Sequence, residues 1–156
     1  MRTFSTVLLL FIAPSLALAD FSGRVVDVSD GDTLTVLAAK TPTRVRLDAV
    51  DAPETKQAFG RRSRQSLAEL CAGKVARVAE RGKDRYGRTV GRVDCANVDA
   101  NSEQVRRGMA WVFDRYAPAR SPLYRLQNEA RIERRGLWAD PTPVAPWDWR
   151  AARRRG

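Results

Sequence analysis

The sequence predicts an α+β fold that is mainly β: a barrel of five short strands carrying about three helices. Three observations lead there. Between Phe21 and Cys95, five short stretches rich in β-branched and apolar residues alternate with polar ones, each bounded by turn residues. A single stretch of helical period, Gln57 to Ala72, separates the third of these from the fourth. The remaining helical patterns all follow the last strand.

Taken in order, Phe21 to Val28 reads as the first strand, and Ser29-Asp30-Gly31-Asp32 as a turn whose glycine can adopt positive φ. Thr33 to Leu37 is the second strand. Lys40-Thr41-Pro42-Thr43 turns the chain into the third, which carries Val45-Arg46-Leu47-Asp48-Ala49-Val50-Asp51. Period-2 alternation puts Arg46, Asp48 and Val50 on one face and Leu47, Ala49 and Asp51 on the other. Pro53 restricts Ala52 to an extended or turn conformation. In the helix, Leu67, Leu70 and Cys71 share a face, and Gly73 is placed to close it as the C′ residue. Lys74 to Glu80 and Gly87 to Cys95 are the fourth and fifth strands, flanking a polar loop. Asn101 or Ser102 caps a short helix that Gly108 ends, and Ser121-Pro122 opens a helix running to Arg135. The proline-punctuated remainder is expected to pack by Trp147 and Trp149 and to end as a basic tail over residues 151–156. Strands in this order, with a helix between the third and fourth, match a five-stranded Greek-key barrel of the OB type.

The first 19 residues stand apart from that domain. Arg2, the apolar run Val7 to Ile12 and Ala17-Leu18-Ala19 have the layout of a secretory leader, against the alternative of a buried N-terminal element. The expectation is cleavage after Ala19, a mature domain over residues 20–150, and an exported protein without stable membrane association, periplasmic or secreted. Export suits Cys71 and Cys95, the sole cysteines, as a disulfide rather than two free thiols.

Composition narrows the chemistry. A net charge of +10 favours an anionic partner. With no histidine in the chain, imidazole bases, serine triads and histidine-held metals are excluded, and two cysteines are too few for a zinc site. A base would be a carboxylate, and a metal would be a hard cation held by oxygen. By themselves, Asp51 and Glu54 after a strand with Arg46 fit either a metal and phosphate site or a solvated turn. Hydrolysis of a phosphodiester needs neutralised phosphate oxygens and an aligned water. Arginines serve the first need and a carboxylate the second.

Asp30-Gly31-Asp32-Thr33, the segment RLDAVDAPET from Arg46 to Thr55, and Asp84-Arg85-Tyr86-Gly87-Arg88 resemble the signature blocks of the staphylococcal nuclease (thermonuclease) family. The similarity runs from about Phe21 to Trp138. It implies a Ca²⁺-dependent nuclease acting on DNA and RNA and leaving 3′-phosphate ends; separately, the chain is expected to be a monomer. On that resemblance Asp32 and Asp51 ligate one Ca²⁺ by side chains and Ala52 by its backbone carbonyl. Glu54 is the base, left free to address water, and Arg46 and Arg88 clamp the phosphate. Tyr86 hydrogen-bonds a phosphate and Tyr116 contacts the nucleotide. The chain departs from the family where Ala52 replaces a common threonine and where Asp114 replaces a second nucleotide-contacting tyrosine. It also lacks a long loop after Thr55. A noncatalytic nucleic-acid-binding module of the same fold is the alternative; such a module has no need of Asp32, Asp51 and Glu54 beside phosphate.

Overall fold

A computed structural model describes residues 20–155, so the expected leader lies outside the described residues. Three antiparallel strands open the domain: β1 (Phe21–Val28), β2 (Thr33–Ala38) and β3 (Thr41–Leu47). After a break comes the two-residue strand β4 (Val50–Asp51), then helix α1 (Gly60–Cys71). Strands β5 (Val75–Lys83) and β6 (Thr89–Cys95) follow, with β7 (Val98–Asp99) as a short extension. The rest of the chain holds α2 (Ala100–Arg106), β8 (Trp111–Val112), α3 (Leu123–Ile132), a 3₁₀ turn (Gly136–Ala139) and α4 (Pro146–Arg153). Among the described residues four α-helices therefore stand where about three were expected, α4 being the addition.

Sheet order is β3-β2-β1-β5-β6, and a parallel pairing of β3 with β6 closes it into a five-stranded barrel. Closure demands bent strands, and two bulges supply the bend. One falls between Val25 and Asp27 in β1 and the other between Glu80 and Gly82 in β5. The first also explains an irregular pattern in β1. Its extra residue shifts the parity, so Val25 and Val28 are buried while Val26 faces solvent. Leu34, Val36, Val45, Leu47, Val78 and Val93 fill the barrel, and Leu67 of α1 joins them.

Cys71 and Cys95 are bridged, tying the end of α1 to the end of β6. Closing a loop of this length stabilises the fold by about 3 kcal/mol in the chain-entropy picture. Gly73 does take the left-handed conformation expected after α1, at φ 72°.

Several boundaries differ from expectation. Residues 57–59 precede α1, with Phe59 at φ 64°. Asp99, not Asn101 or Ser102, caps α2, accepting from the backbone nitrogens of Asn101 and Ser102. Asn101 is instead buried, its Nδ2 donating to the Asp48 carbonyl at 2.9 Å while its Oδ1 accepts from Val93 N at 3.0 Å. α3 ends at Ile132, before Arg135. α4 runs through the expected domain edge at residue 150, so Ala151–Arg153 continue a helix.

Candidate active site

The site grows from the end of β3. There the expected alternation fails, because the strand stops at Leu47 and Ala49 takes φ 59°. Asn101 holds the Asp48 carbonyl of this turn, and β4 restarts against β8. Uninterrupted alternation would have put Arg46 and Asp51 on opposite faces. The break brings them together: Arg46 Nη2 donates to Asp51 Oδ1 at 3.0 Å and to Asp32 Oδ2 at 3.5 Å. Asp51 is 1% exposed.

Asp32 arrives from the turn before β2. It is pinned by Ala52 N donating to its Oδ2 at 2.9 Å and by Thr33 Oγ1 donating to its Oδ1 at 2.9 Å. Gly31 is required here for closeness, not for positive φ, which it does not adopt. A β-carbon at Gly31 would sit 1.8 Å from Ser63 Oγ and 2.8 Å from the Ala52 side chain. The turn is thereby wedged between α1 and the loop that carries Ala52.

Arg88 enters from across the barrel. Its Nε donates to Asp84 Oδ2 at 2.7 Å and its Nη1 reaches Thr33 Oγ1 at 3.3 Å. Thr33 thus links Arg88 to Asp32, accepting from one and donating to the other. Burial raises the Asp84 pKa, but hydrogen bonds from Arg88 and from two backbone nitrogens outweigh it and hold the carboxyl below its ordinary value.

Glu54 follows β4 in a loop fixed by Gln57. Gln57 Oε1 accepts from Glu54 N at 3.1 Å, and its Nε2 donates to the Val144 carbonyl at 2.7 Å. Contrary to expectation, Glu54 is not free. Arg150, from α4, donates through Nη1 to Glu54 Oε1 at 2.7 Å and through Nη2 to Asp51 Oδ2 at 2.6 Å. A continuous chain of contacts therefore runs Arg88–Thr33–Asp32–Arg46–Asp51–Arg150–Glu54.

Burial and charge oppose one another along this chain. Burial pushes the Asp51 pKa up; hydrogen bonding to Arg150 opposes this, while the charge of Asp32 adds to it. Asp30, beside the same turn, is pushed up to about 6, by burial first and then by Asp32. Burial opposes the charge on Arg46, yet Asp32 and Asp51 leave its pKa raised. Asp32 and Asp51 are buried, hard oxygen donors that repel one another, and the three arginines of the chain balance its three carboxylates. That donor set fits a hard divalent cation at Asp32 and Asp51.

The two tyrosines lie outside the chain of contacts. Tyr86 is 68% exposed, its hydroxyl accepting from Arg85 and its ring 5.5 Å from the Arg88 guanidinium. Tyr116 is 58% exposed and meets the Phe113 ring edge-on at 5.2 Å. Asp114, at the position of the second family tyrosine, accepts from the Tyr124 hydroxyl at 3.0 Å. An apolar cavity of about 190 Å³ between Pro53, Phe59, Trp111 and Trp149 has Asp140 as its one ionisable lining residue, so it is not the seat of the chemistry.

Sequence reasoning missed Arg150, Gln57 and Thr33. Thr33 was visible only as part of a turn motif. Gln57 was absorbed into the helix pattern. Arg150 lies 96 residues beyond Glu54, at the last position of the expected domain in its proline-punctuated remainder, and carried no local signal.

A barrel with buried acids and arginines converging at one strand end is the class of site that suits phosphodiester hydrolysis. The sequence pattern of the family described as staphylococcal nuclease homologue matches residues 44–140. An uncharacterized endonuclease of Escherichia coli O157:H7 is 43% identical over 151 residues, covering 96% of this chain and 98% of the relative. A micrococcal nuclease of Shigella flexneri is 44% identical over 146 residues, covering 87% and 84%. A staphylococcal-like nuclease of Arabidopsis thaliana is 38% identical over 121 residues, 78% of this chain and 36% of that longer protein. This chain belongs to the staphylococcal nuclease homologue family and is a nuclease.

Proposed function

We propose that this chain is an exported, monomeric, Ca²⁺-dependent endonuclease that hydrolyses both DNA and RNA and leaves 3′-phosphate ends. The observation that carries the reading is the meeting of Arg46 with both Asp32 and Asp51, with Glu54 one arginine away. Asp32 and Asp51, with the Ala52 carbonyl, would hold the cation. When bound, it supplies positive charge against phosphate oxygens and a fixed place for water.

Arg46 and Arg88 take the non-bridging oxygens of the scissile phosphate, where fixed guanidinium charge stabilises the charge that builds in the transition state. Glu54 accepts a proton from water as its oxygen bonds to phosphorus, and the P–O5′ bond breaks, with the departing oxygen protonated from solvent. Because water is the nucleophile, the ribose 2′-hydroxyl is not needed, which supports a shared activity on DNA and RNA. Tyr86 donates to a phosphate oxygen and Tyr116 contacts the nucleotide, both from exposed positions suited to a polymer. Among the described residues no helix is long and apolar enough to cross a membrane.

The test is incubation of the chain from Asp20 onward with single-stranded DNA, duplex DNA and RNA, in Ca²⁺, Mg²⁺ or excess chelator. The expected result is cleavage of DNA and RNA in Ca²⁺, little in Mg²⁺ and none in chelator, with 3′-phosphate termini. Cleavage that persists in chelator would remove the cation from the mechanism. Binding without cleavage under every condition would favour the noncatalytic module.

A further inference from the structure

Phosphate binding accounts for Arg46 and Arg88, but not for Arg150. Its guanidinium bridges the carboxylate expected to hold the cation and the one expected to activate water. Nη2 meets Asp51 Oδ2 at 2.6 Å, while Nη1 meets Glu54 Oε1 at 2.7 Å and Asp51 Oδ1 at 3.3 Å. Among the described residues Arg150 is the sole hydrogen-bond partner of Asp51 Oδ2. A cation that takes that oxygen from the side the guanidinium occupies displaces it.

The helix that delivers Arg150 is firmly seated. Trp147 stacks on Phe113 with ring centroids 5.3 Å apart and meets Trp111 edge-on at 5.7 Å. Ala145 and Pro146 are buried, and Gln57 ties the neighbouring Val144 carbonyl to the Glu54 loop. The Arg150 side chain, by contrast, is 34% exposed, against 2% for Asp51. A long side chain with one open flank can swing to water while its helix stays in place.

Resting on the cation reading of this site, the geometry points to Arg150 as a positioning residue that competes directly with the divalent cation for Asp51. At rest it satisfies Asp51 and occupies Glu54. Arrival of the cation displaces the guanidinium and, in the same event, releases Glu54 to accept a proton from water. Cation binding therefore arms the base, and a site without its cation is held shut by its own C-terminal helix.

Calorimetric titration of Ca²⁺ into the wild type, R150M, R150K and R153M tests this without any substrate. Arg153 stacks over the Trp149 ring at 4.8 Å, so R153M removes the same charge from the same helix while leaving Asp51 untouched. R150M is expected to bind Ca²⁺ at least about 5-fold tighter than wild type, the low end of ordinary coupling between competing ligands, with R150K in between and R153M near wild type. In the wild type, the Arg150 side-chain ¹⁵N–¹H resonance should lose its dispersion along the same Ca²⁺ isotherm. This second readout needs no variant to fold. Equal affinity in wild type, R150M and R150K overturns the competition while leaving the cation site intact. Equal tightening in R150M and R153M overturns it in favour of long-range charge. No Ca²⁺ uptake by any of the four proteins removes both the competition and the cation reading.

Discussion

Replacing Arg46 by methionine tests whether the acidic cluster depends on this arginine as a counter-charge. Methionine preserves much of the side-chain length, so the change removes charge and hydrogen bonds more than volume. The Arg46 and Asp51 side chains are 11% and 2% exposed and 3.0 Å apart. Removing one partner of a buried pair costs about 3–5 kcal/mol when the other is left alone. Here the loss is partly offset. Asp51 keeps Arg150 at 2.6 Å, and Asp32 keeps Ala52 N and Thr33 Oγ1, both at 2.9 Å. The expected loss is therefore about 2–3 kcal/mol, read as a lower urea midpoint at unchanged m. Cleavage at saturating nucleic acid should fall by about 10²-fold or more, since a fixed donor to the phosphate is gone. A stability loss under about 1 kcal/mol would refute the counter-charge reasoning, because the carboxylates would then tolerate one another without Arg46. Normal cleavage would refute the phosphate role separately.

Other predictions concern neighbouring parts. Glu54→Gln should lower the cleavage rate by about 10²-fold or more while nucleic-acid binding stays near normal; an unchanged rate removes Glu54 as the base. Gly31→Ala forces a methyl group to within 1.8 Å of Ser63 Oγ, and overpacking of this kind should cost about 1–3 kcal/mol in urea unfolding. Adding Ser63→Gly should recover part of that loss, and a neutral Gly31→Ala would show that the turn has room. In α2, hydrogen bonds from Arg106 and Arg107 outweigh burial and hold Glu103 down to about 2, against an ordinary value of 4.5. A depressed acid contributes stability above its unfolded pKa and loses it as pH falls through its folded one. Wild type and Glu103→Gln should therefore differ most in Tm above about pH 4.5 and converge toward pH 2. Parallel profiles across that range would contradict the assignment.

Most of the barrel, and most of the residues that meet in the candidate site, could be read from the chain alone because the deciding signals are local. Alternation marked β1 over Phe21–Val28, and turn residues separated it from β2. Asp32, Arg46, Asp51, Glu54 and Arg88 stood in short ordered blocks, so their kinship was visible without coordinates. Absence of histidine settled which bases were possible, since composition alone decides what chemistry a chain can offer.

What depended on packing was hidden. The bulge in β1 that exposes Val26 arises from barrel closure, which no single strand encodes. Ala49 adopts left-handed backbone without a glycine to announce it, and that one turn places Arg46 beside Asp51. Gly31 looked like a turn residue, yet its reason is a helix pressed against it. Above all, Arg150 joins Asp51 and Glu54 from 99 and 96 residues away, through a helix seated by aromatic rings. Residue types and local spacing state which chemistry is on offer. Which charges meet, and whether Glu54 rests free or held, is a property of distances between remote segments, and those exist only once the chain has closed on itself.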